Sequence, residues 1–254
     1  DRGAMAPEIV ERTAPGKIIL CGEHSVVYGR PAIAVPIGDM RAQARIEPAP
    51  ESTGLRIRAV DLKRELLLNQ NRIGDPLDRI ARLTLEHLDA PEPDAVLTLR
   101  SDLPIASGMG SGAAVTAAAA RALGAYLGHE LPPEVVSALT YEVEKIHHGT
   151  PSGIDNTVIA WEKPVYFVKG EAPQVFGIHS PFTLVIANSG IASSTREAIA
   201  EVRRRWVTTP SYYDVVFNCI GAIARAARDA VEQGALQALG TLLDENHELL
   251  RKMG

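Results

Sequence analysis

The segment from Asp102 to Leu123, DLPIASGMGSGAAVTAAAARAL, constrains the fold more than any other part of this 254-residue chain. Three alternating glycines, Gly108, Gly110 and Gly112, directly precede a run of alanines, which are the best helix formers. A helix N-terminus carries unsatisfied N–H groups and attracts anions, and glycine lets the backbone approach a ligand without a Cβ clash. The pattern therefore predicts a loop that holds a phosphate group at the start of a helix.

Two other interpretations of this loop stay open from the residues alone. The spacing Gly108-x-Gly110-x-x-Ala113 fits a dinucleotide fingerprint, although residues 102–107 separate it from the preceding predicted strand. A tight turn that only serves helix packing is the second alternative. A Walker A loop is excluded, because Ala113 and Ala114 stand where that motif requires Lys and Ser or Thr.

Composition narrows the class of protein. The net charge of −5 argues against nucleic-acid binding, and the two cysteines provide neither a disulfide framework nor zinc-ligand spacing. No apolar run reaches the roughly 18 residues of a membrane span, and no signal-peptide pattern is present. We therefore expect a cytoplasmic protein with no nucleic-acid or membrane partner, while self-association as a homodimer stays open.

Periodicity predicts an α+β protein with a domain boundary near residues 170–180, where glycine and proline are frequent. The predicted strands are 17–21, 32–37, 41–48, 55–61, 95–101, 164–168 and 182–188. The predicted helices are 76–88, 112–127, 133–148, a helix that starts at the capping box Ser194-x-x-Glu197, and two helices after Pro210.

Two further segments carry candidate chemistry. In EKIHHGTPSGIDNTV, Glu144 lies on a helix and Asp155 in a predicted turn beyond its end. Two carboxylates beside a phosphate loop suit a site where one holds Mg²⁺ and the other orients or deprotonates a hydroxyl. In APGKIILCGEHSVVYG, Lys17 starts a strand and Glu23 and His24 follow in a loop, a pattern that would be structural if it stood alone.

Taken in order, the segments PGKIILCGEHSVVYGRPAIAVPI, LPIASGMGSGAAV and EKIHHGTPSGIDN resemble the GHMP small-molecule kinases. The resemblance extends from Thr13 to the C-terminus. It implies an N-terminal domain like ribosomal protein S5 domain 2 at 5–172 and a ferredoxin-like domain at 173–254, with the substrates between them. The family usually has another glycine-rich loop near its C-terminus, which is absent up to Gly254, so the second domain is expected to be incomplete.

The resemblance also implies roles for individual residues. Asp155 matches the aspartate that receives or polarises the proton of the attacking hydroxyl, and Lys17 matches the lysine that steadies developing phosphoryl charge. Glu144 matches a Mg²⁺ ligand; Ser111 is a second candidate, because Gly112 replaces the family's usual metal-binding serine. The residues that match the ATP loop are Pro104, Ala106, Ser107, Gly108, Gly110, Ser111 and Gly112. Those expected at the acceptor site are Glu23, His24, Ser152 and Thr195.

The implied activity is transfer of the γ-phosphoryl group of ATP to a small alcohol, with ATP and Mg²⁺ bound. The loop GEHSVVYG favours the C5 hydroxyl of (R)-mevalonate as the acceptor, because relatives vary this loop with their substrate. The product would be 5-phosphomevalonate, an intermediate of isoprenoid biosynthesis. Alternatives are a phosphomevalonate, homoserine or sugar acceptor, and a catalytically silent nucleotide-binding relative.

Overall fold

The structure is a computed structural model that describes residues 9–68, 74–104, 107–148, 151–187 and 195–253. At 147, 148, 195 and 196 it describes the backbone alone. Within these ranges the chain has an α+β architecture built on one mixed sheet, as predicted. None of the helices in the described ranges is long and apolar enough to cross a membrane.

Two long antiparallel strands, β1 (Val10–Cys21) and β2 (Ala32–Pro48), pair with each other, and β2 is the central strand that also pairs with other strands of the sheet. The prediction of two separate strands at 32–37 and 41–48 is wrong, because β2 runs through both. Its pairing with β1 jumps from Pro15–Arg41 to Gly16–Ile37, so residues 38–40 form an irregularity inside one strand. Such a bulge interrupts the alternation of apolar residues without ending the strand.

Five shorter strands complete the described sheet. They are β3 (Leu55–Ala59), β4 (Arg64–Leu67), β5 (Ala95–Ser101), β6 (Val165–Phe167) and β7 (Gln174–Val175). The order is β4-β3-β5-β2-β6-β7, with β1 paired to β2, and only β3 and β5 run parallel. β7 continues the sheet beyond 172, and the domain boundary at 172/173 stays a prediction.

The predicted strand at 182–188 is wrong over its described residues. Residues 182–187 pair with no strand of the described chain, and Val185 is 93% exposed. A β-strand is stabilised by backbone hydrogen bonds to an adjacent strand, so an apolar segment without an adjacent strand stays irregular. Residue 188 lies outside the described residues.

Seven helices are present in the described ranges. They are α1 (Pro76–Leu88), α2 (Ser111–Tyr126), α3 (Pro133–His148), α4 (Ile154–Trp161), α5 (Thr195–Thr208), α6 (Pro210–Gln233) and α7 (Leu236–Met253). The sequence-based prediction placed Asp155 in a turn, but it lies in α4. Gly153 precedes this helix with φ 91°, a left-handed conformation that glycine adopts without strain and that lets a new helix start after α3.

Packing against β2 determines where these helices lie. Successive side chains of a strand point to opposite faces. Ala32 and Ala34 pack with Ile154 and Val158 of α4, whereas Ile33 and Val35 pack in a cluster with α6 and α7. Most alanines of α2 are buried in one large apolar cluster with residues of β1, β2 and β5. Their small side chains allow a close approach of helix and sheet, and this brings the start of α2 beside β1.

Candidate active site

An ion pair between β1 and α4 lies at the centre of the candidate site. Lys17 Nζ is 2.9 Å from Asp155 Oδ1. The lysine is only 6% exposed, whereas the aspartate side chain is 26% exposed and can meet a ligand. Asp155 is the second residue of α4, where the positive end of the helix dipole favours a carboxylate. The structure therefore brings the two predicted catalytic residues into direct contact.

Glu144 on α3 belongs to the same electrostatic cluster. Burial, and after it the negative charge of Asp155, raise the pKa of its carboxyl group to about 8 against the opposing charge of Lys17. The ammonium group of Lys17 thus acts on two carboxylates, those of Asp155 and Glu144. No group of three or more His, Cys, Asp or Glu residues suited to a metal occurs in the described part of the chain. Mg²⁺ often binds one or two carboxylates together with substrate phosphates and water, so the Glu144 carboxylate fits this ion without a larger ligand cluster.

The raised pKa of Glu144 predicts a pH-dependent stability of the metal-free protein. The native state binds the Glu144 proton more tightly than the unfolded state, so stability is fully present below about pH 4.5 and falls as pH rises towards 8. Replacing Glu144 with Gln removes this loss of stability, which is on the order of 4 kcal/mol at pH 8. Urea unfolding in EDTA at pH 5.5 and 8 measures the difference.

The matched control is Glu142→Gln on the same helix, whose carboxylate is 43% exposed and pairs with Lys145. This variant is expected to keep the pH dependence of the wild type. Equal slopes of stability against pH in the wild type and in Glu144→Gln would show that Glu144 does not hold a raised pKa.

The glycine-rich loop reaches the ion pair through the backbone of β1. Gly108 and Gly110 have φ of 75° and 70°, and Lys17 donates its backbone N–H to Met109 O at 3.0 Å. The first helical hydrogen bond runs from Ala114 N to Gly110 O at 2.9 Å, and among the described side chains none caps the start of α2. The amides of its first turn are therefore suited to an anion.

The other predicted ATP-loop residues lie on the same turn. Ser107 donates its hydroxyl hydrogen to Pro104 O at 2.8 Å, and Ser111 is the first residue of α2. Gly112 follows it in the helix with room for a side chain, since an added Cβ would have no described atom within 4 Å. Ala106 lies outside the described residues.

The left-handed conformation of Gly110 and the close approach of the Lys17 side chain both require glycine at this position. A Cβ at this position would lie 3.1 Å from Lys17 Cγ and 3.1 Å from Ile159 Cδ1, on a left-handed backbone. Gly110→Ala is therefore expected to destabilise the protein by about 1–3 kcal/mol and to lower kcat/KM for ATP by at least about tenfold. Thermal unfolding and ATP titrations measure the two effects.

Gly38→Ala is the matched control, because a Cβ at Gly38 meets no described atom within 4 Å and its φ is not left-handed. Gly38→Ala is expected to leave the stability of the protein and its kcat/KM for ATP close to those of the wild type. Wild-type kinetics in Gly110→Ala would contradict the proposed contact between this loop and Lys17.

The predicted acceptor residues Glu23 and His24 follow β1 and precede a short 3₁₀ helix, Ser25–Tyr28. His24 has φ 59°, which is uncommon for a residue with a side chain, and burial lowers its pKa. Burial raises the pKa of Glu23, against a hydrogen bond from Asn246 and the charge of Lys17. The charge of Lys17 therefore acts on Glu23 as well as on Glu144.

Of the two remaining predicted acceptor residues, Ser152 and Thr195, the structure describes the side chain of Ser152 alone. Ser152 Oγ accepts a hydrogen bond from Ile154 N at 3.3 Å, which puts this hydroxyl at the start of α4 beside Asp155. Thr195 is the first residue of α5, and its side chain lies outside the described residues.

Comparisons with known proteins agree with this geometry. The family model for the GHMP kinases N terminal domain matches residues 76–162. The mevalonate kinase of Thermococcus sibiricus is 33% identical over 262 residues, which cover 95% of this chain and 77% of the relative. This chain belongs to the GHMP kinase family.

A second relative and a solved structure extend the comparison of this GHMP kinase. The mevalonate kinase of Pyrococcus abyssi is 33% identical over 268 residues, covering 98% of this chain and 78% of the relative. The crystal structure of L. major mevalonate kinase in complex with R-mevalonate matches with a TM-score of 0.78 and 28% identity. That match covers 96% of this chain and 76% of the other.

Sequence reasoning did not identify Asn246 of this GHMP kinase, although its side chain contacts Glu23. The pattern of apolar residues in α7 could have identified Asn246 as a buried polar residue. Leu239, Leu242, Leu249 and Leu250 follow a helical period of buried or partly buried residues, and Asn246 stands on the same apolar face. A polar residue at such a position has to find a hydrogen-bond partner, and that partner is part of the candidate site.

Proposed function

We propose that this protein transfers the γ-phosphoryl group of ATP to the C5 hydroxyl of (R)-mevalonate. The products are 5-phosphomevalonate and ADP, and the reaction belongs to isoprenoid biosynthesis in the cytoplasm. The observation that carries the proposal is the partly exposed Asp155 paired with the buried Lys17, beside the uncapped start of α2. The similarity to mevalonate kinases supports the choice of acceptor.

Asp155 is the proposed proton acceptor. Its Oδ1 is held by Lys17, which leaves Oδ2 to receive the proton of the C5 hydroxyl. As the proton moves, the hydroxyl oxygen forms a bond to the γ-phosphorus, and the bond from that phosphorus to the bridging oxygen of ADP breaks. Such a reaction requires mainly positioning and charge neutralisation, which a buried lysine and a helix N-terminus both supply.

Mg²⁺ is the proposed metal, with Glu144 as its main protein ligand and the Ser111 hydroxyl as a second candidate. When bound, this ion neutralises phosphate charge and orients the phosphoryl group for transfer. A carboxylate whose pKa is raised by burial and by a second carboxylate gains most from a cation nearby. Glu144→Gln is therefore expected to increase the Mg²⁺ concentration that gives half-maximal rate, and an unchanged titration would contradict the assignment.

The test of the proposed function is ADP release with Mg-ATP in a coupled assay. It compares (R)-mevalonate with phosphomevalonate, homoserine and galactose as acceptors. We expect turnover with (R)-mevalonate alone. Turnover with another acceptor instead would keep the roles of Lys17 and Asp155 but reject the acceptor assignment. ATP binding without turnover on any acceptor would favour a silent nucleotide-binding protein.

A further inference from the structure

Asn246 connects the last described helix to the proposed acceptor site. This residue of α7 is only 3% exposed, and its Nδ2 donates a hydrogen bond to Glu23 Oε2 at 2.9 Å. The two residues lie at opposite ends of the chain, so the bond is a tertiary link between α7 and the loop after β1. An amide donor fixes the orientation of a carboxylate that would otherwise choose between several rotamers.

The other half of the same amide has no partner. Asn246 Oδ1 is buried and accepts no hydrogen bond from any described residue. A buried acceptor without a hydrogen bond lowers the stability of the fold by about 1–3 kcal/mol, so such an atom requires an explanation. Thr140 Oγ1 and Asn156 Oδ1 are also buried and unpartnered, but only the Asn246 amide also binds a predicted acceptor residue.

The surroundings of Glu23 indicate which group could reach this oxygen. Oδ1 shares a carbon atom with Nδ2 and therefore lies beside the Glu23 carboxylate. Two titratable groups of β1 interact electrostatically with Glu23: the charge of Lys17 lowers the pKa of Glu23, and the charge of Glu23 raises the pKa of the Cys21 thiol. Neither donates a hydrogen bond to the Asn246 oxygen. A hydroxyl group suits this place, because it can donate to the amide oxygen while its own oxygen remains free.

We propose that Asn246 is part of the acceptor site, where its N–H positions Glu23 and its oxygen accepts a hydrogen bond from a substrate hydroxyl that is not phosphorylated. This inference rests on the proposed function, since mevalonate carries such a second hydroxyl at C3. Asn246 thereby contributes specificity for an acceptor with two hydroxyl groups. It also gives helix α7 a part in substrate selection.

Two substitutions test the role of Asn246. Asn246→Leu removes both hydrogen bonds at similar size, and Asn246→Asp keeps the shape but replaces the donor with a carboxylate facing Glu23. Each is expected to raise KM for (R)-mevalonate by about tenfold or more, while KM for ATP stays within about twofold. A merely structural role would change both KM values together or neither. Should the leucine variant fail to bind ATP, the isosteric aspartate variant decides the outcome.

The control is His247→Asp, which adds a negative charge at the exposed neighbouring position of α7. It is expected to keep the KM of the wild type for both substrates. An unchanged mevalonate KM in Asn246→Asp and in a folded Asn246→Leu would overturn the inference. A wild type that does not phosphorylate mevalonate at all would instead overturn the proposed function.

A substrate analogue tests the hydroxyl contact itself. 5-Hydroxy-3-methylpentanoate lacks the C3 hydroxyl, and the wild type is expected to use it with a kcat/KM lower by about tenfold or more. If the C3 hydroxyl is the group that binds Asn246, the kcat/KM values of Asn246→Leu for (R)-mevalonate and for the analogue should differ much less than those of the wild type. Equal discrimination by the wild type and the variant would show that Asn246 does not contact this hydroxyl.

Discussion

Asp155→Asn is expected to lower kcat by about 10²-fold or more, since it removes the proposed proton acceptor without changing the size of the side chain. The neutral amide can still contact Lys17 Nζ through its oxygen, so the position of α4 should be preserved. KM for ATP and for (R)-mevalonate should change little. A loss in kcat alone is typical of an interaction that matters only in the transition state.

Steady-state kinetics and an independent measurement of ATP binding check this expectation. Asp229→Asn on α6 is the matched control, because this exposed aspartate lies outside the candidate site. Near-normal turnover in Asp155→Asn would reject Asp155 as the base. A loss of ATP binding in the same variant would show that its main effect is structural.

Lys17→Met is the second change with a large expected effect. It keeps an apolar chain in the space beside Gly110 and Ile159 but removes the ammonium group that faces two carboxylates. The proposed base loses the cation with which it is paired, and the transferred phosphoryl group loses the cation proposed to steady its charge. We expect kcat to fall by about 10²-fold or more.

Lys17→Met should also change the pH dependence of stability, which is measured separately from kcat. Lys17 lowers the pKa of Glu144, so its removal should raise that pKa further above its usual range. Unfolding experiments in EDTA should therefore show a larger loss of stability between pH 5.5 and 8 than in the wild type. Lys163→Met, at an exposed position, is the control for both measurements. A variant Lys17→Met within about tenfold of wild-type kcat would contradict the proposed role.

The sequence singled out residues that the fold brings together, such as Lys17 and Asp155, but it did not predict the contacts between them. Alternating glycines before an alanine-rich helix indicated a phosphate loop from local chemistry alone. The steric reason for Gly110 could not be foreseen, because it depends on Lys17, which lies far away in the sequence. Contacts of this kind arise only when the fold brings β1 and the loop together.

Two errors in the predicted elements have physical causes that a single sequence conceals. The helix α4 has eight residues and starts with IDNT, too short and too polar at its start for a helical period to be recognised. The segment 182–187 has a strand-like composition but no neighbouring strand in the described chain. Propensity describes the segment itself, whereas a strand also requires a partner.

The two faces of β2 separate the halves of the proposed site. Ala32 and Ala34 support the helix that carries Asp155, while Ile33 and Val35 support the helices that include Asn246. A shift of one residue in strand register exchanges the two faces. Deleting a single residue within 32–35 would therefore direct bulky side chains at α4 and alanines at α6 and α7. Surface loops can gain or lose residues during evolution, but this short stretch has to keep its length for chemistry and acceptor recognition to remain aligned.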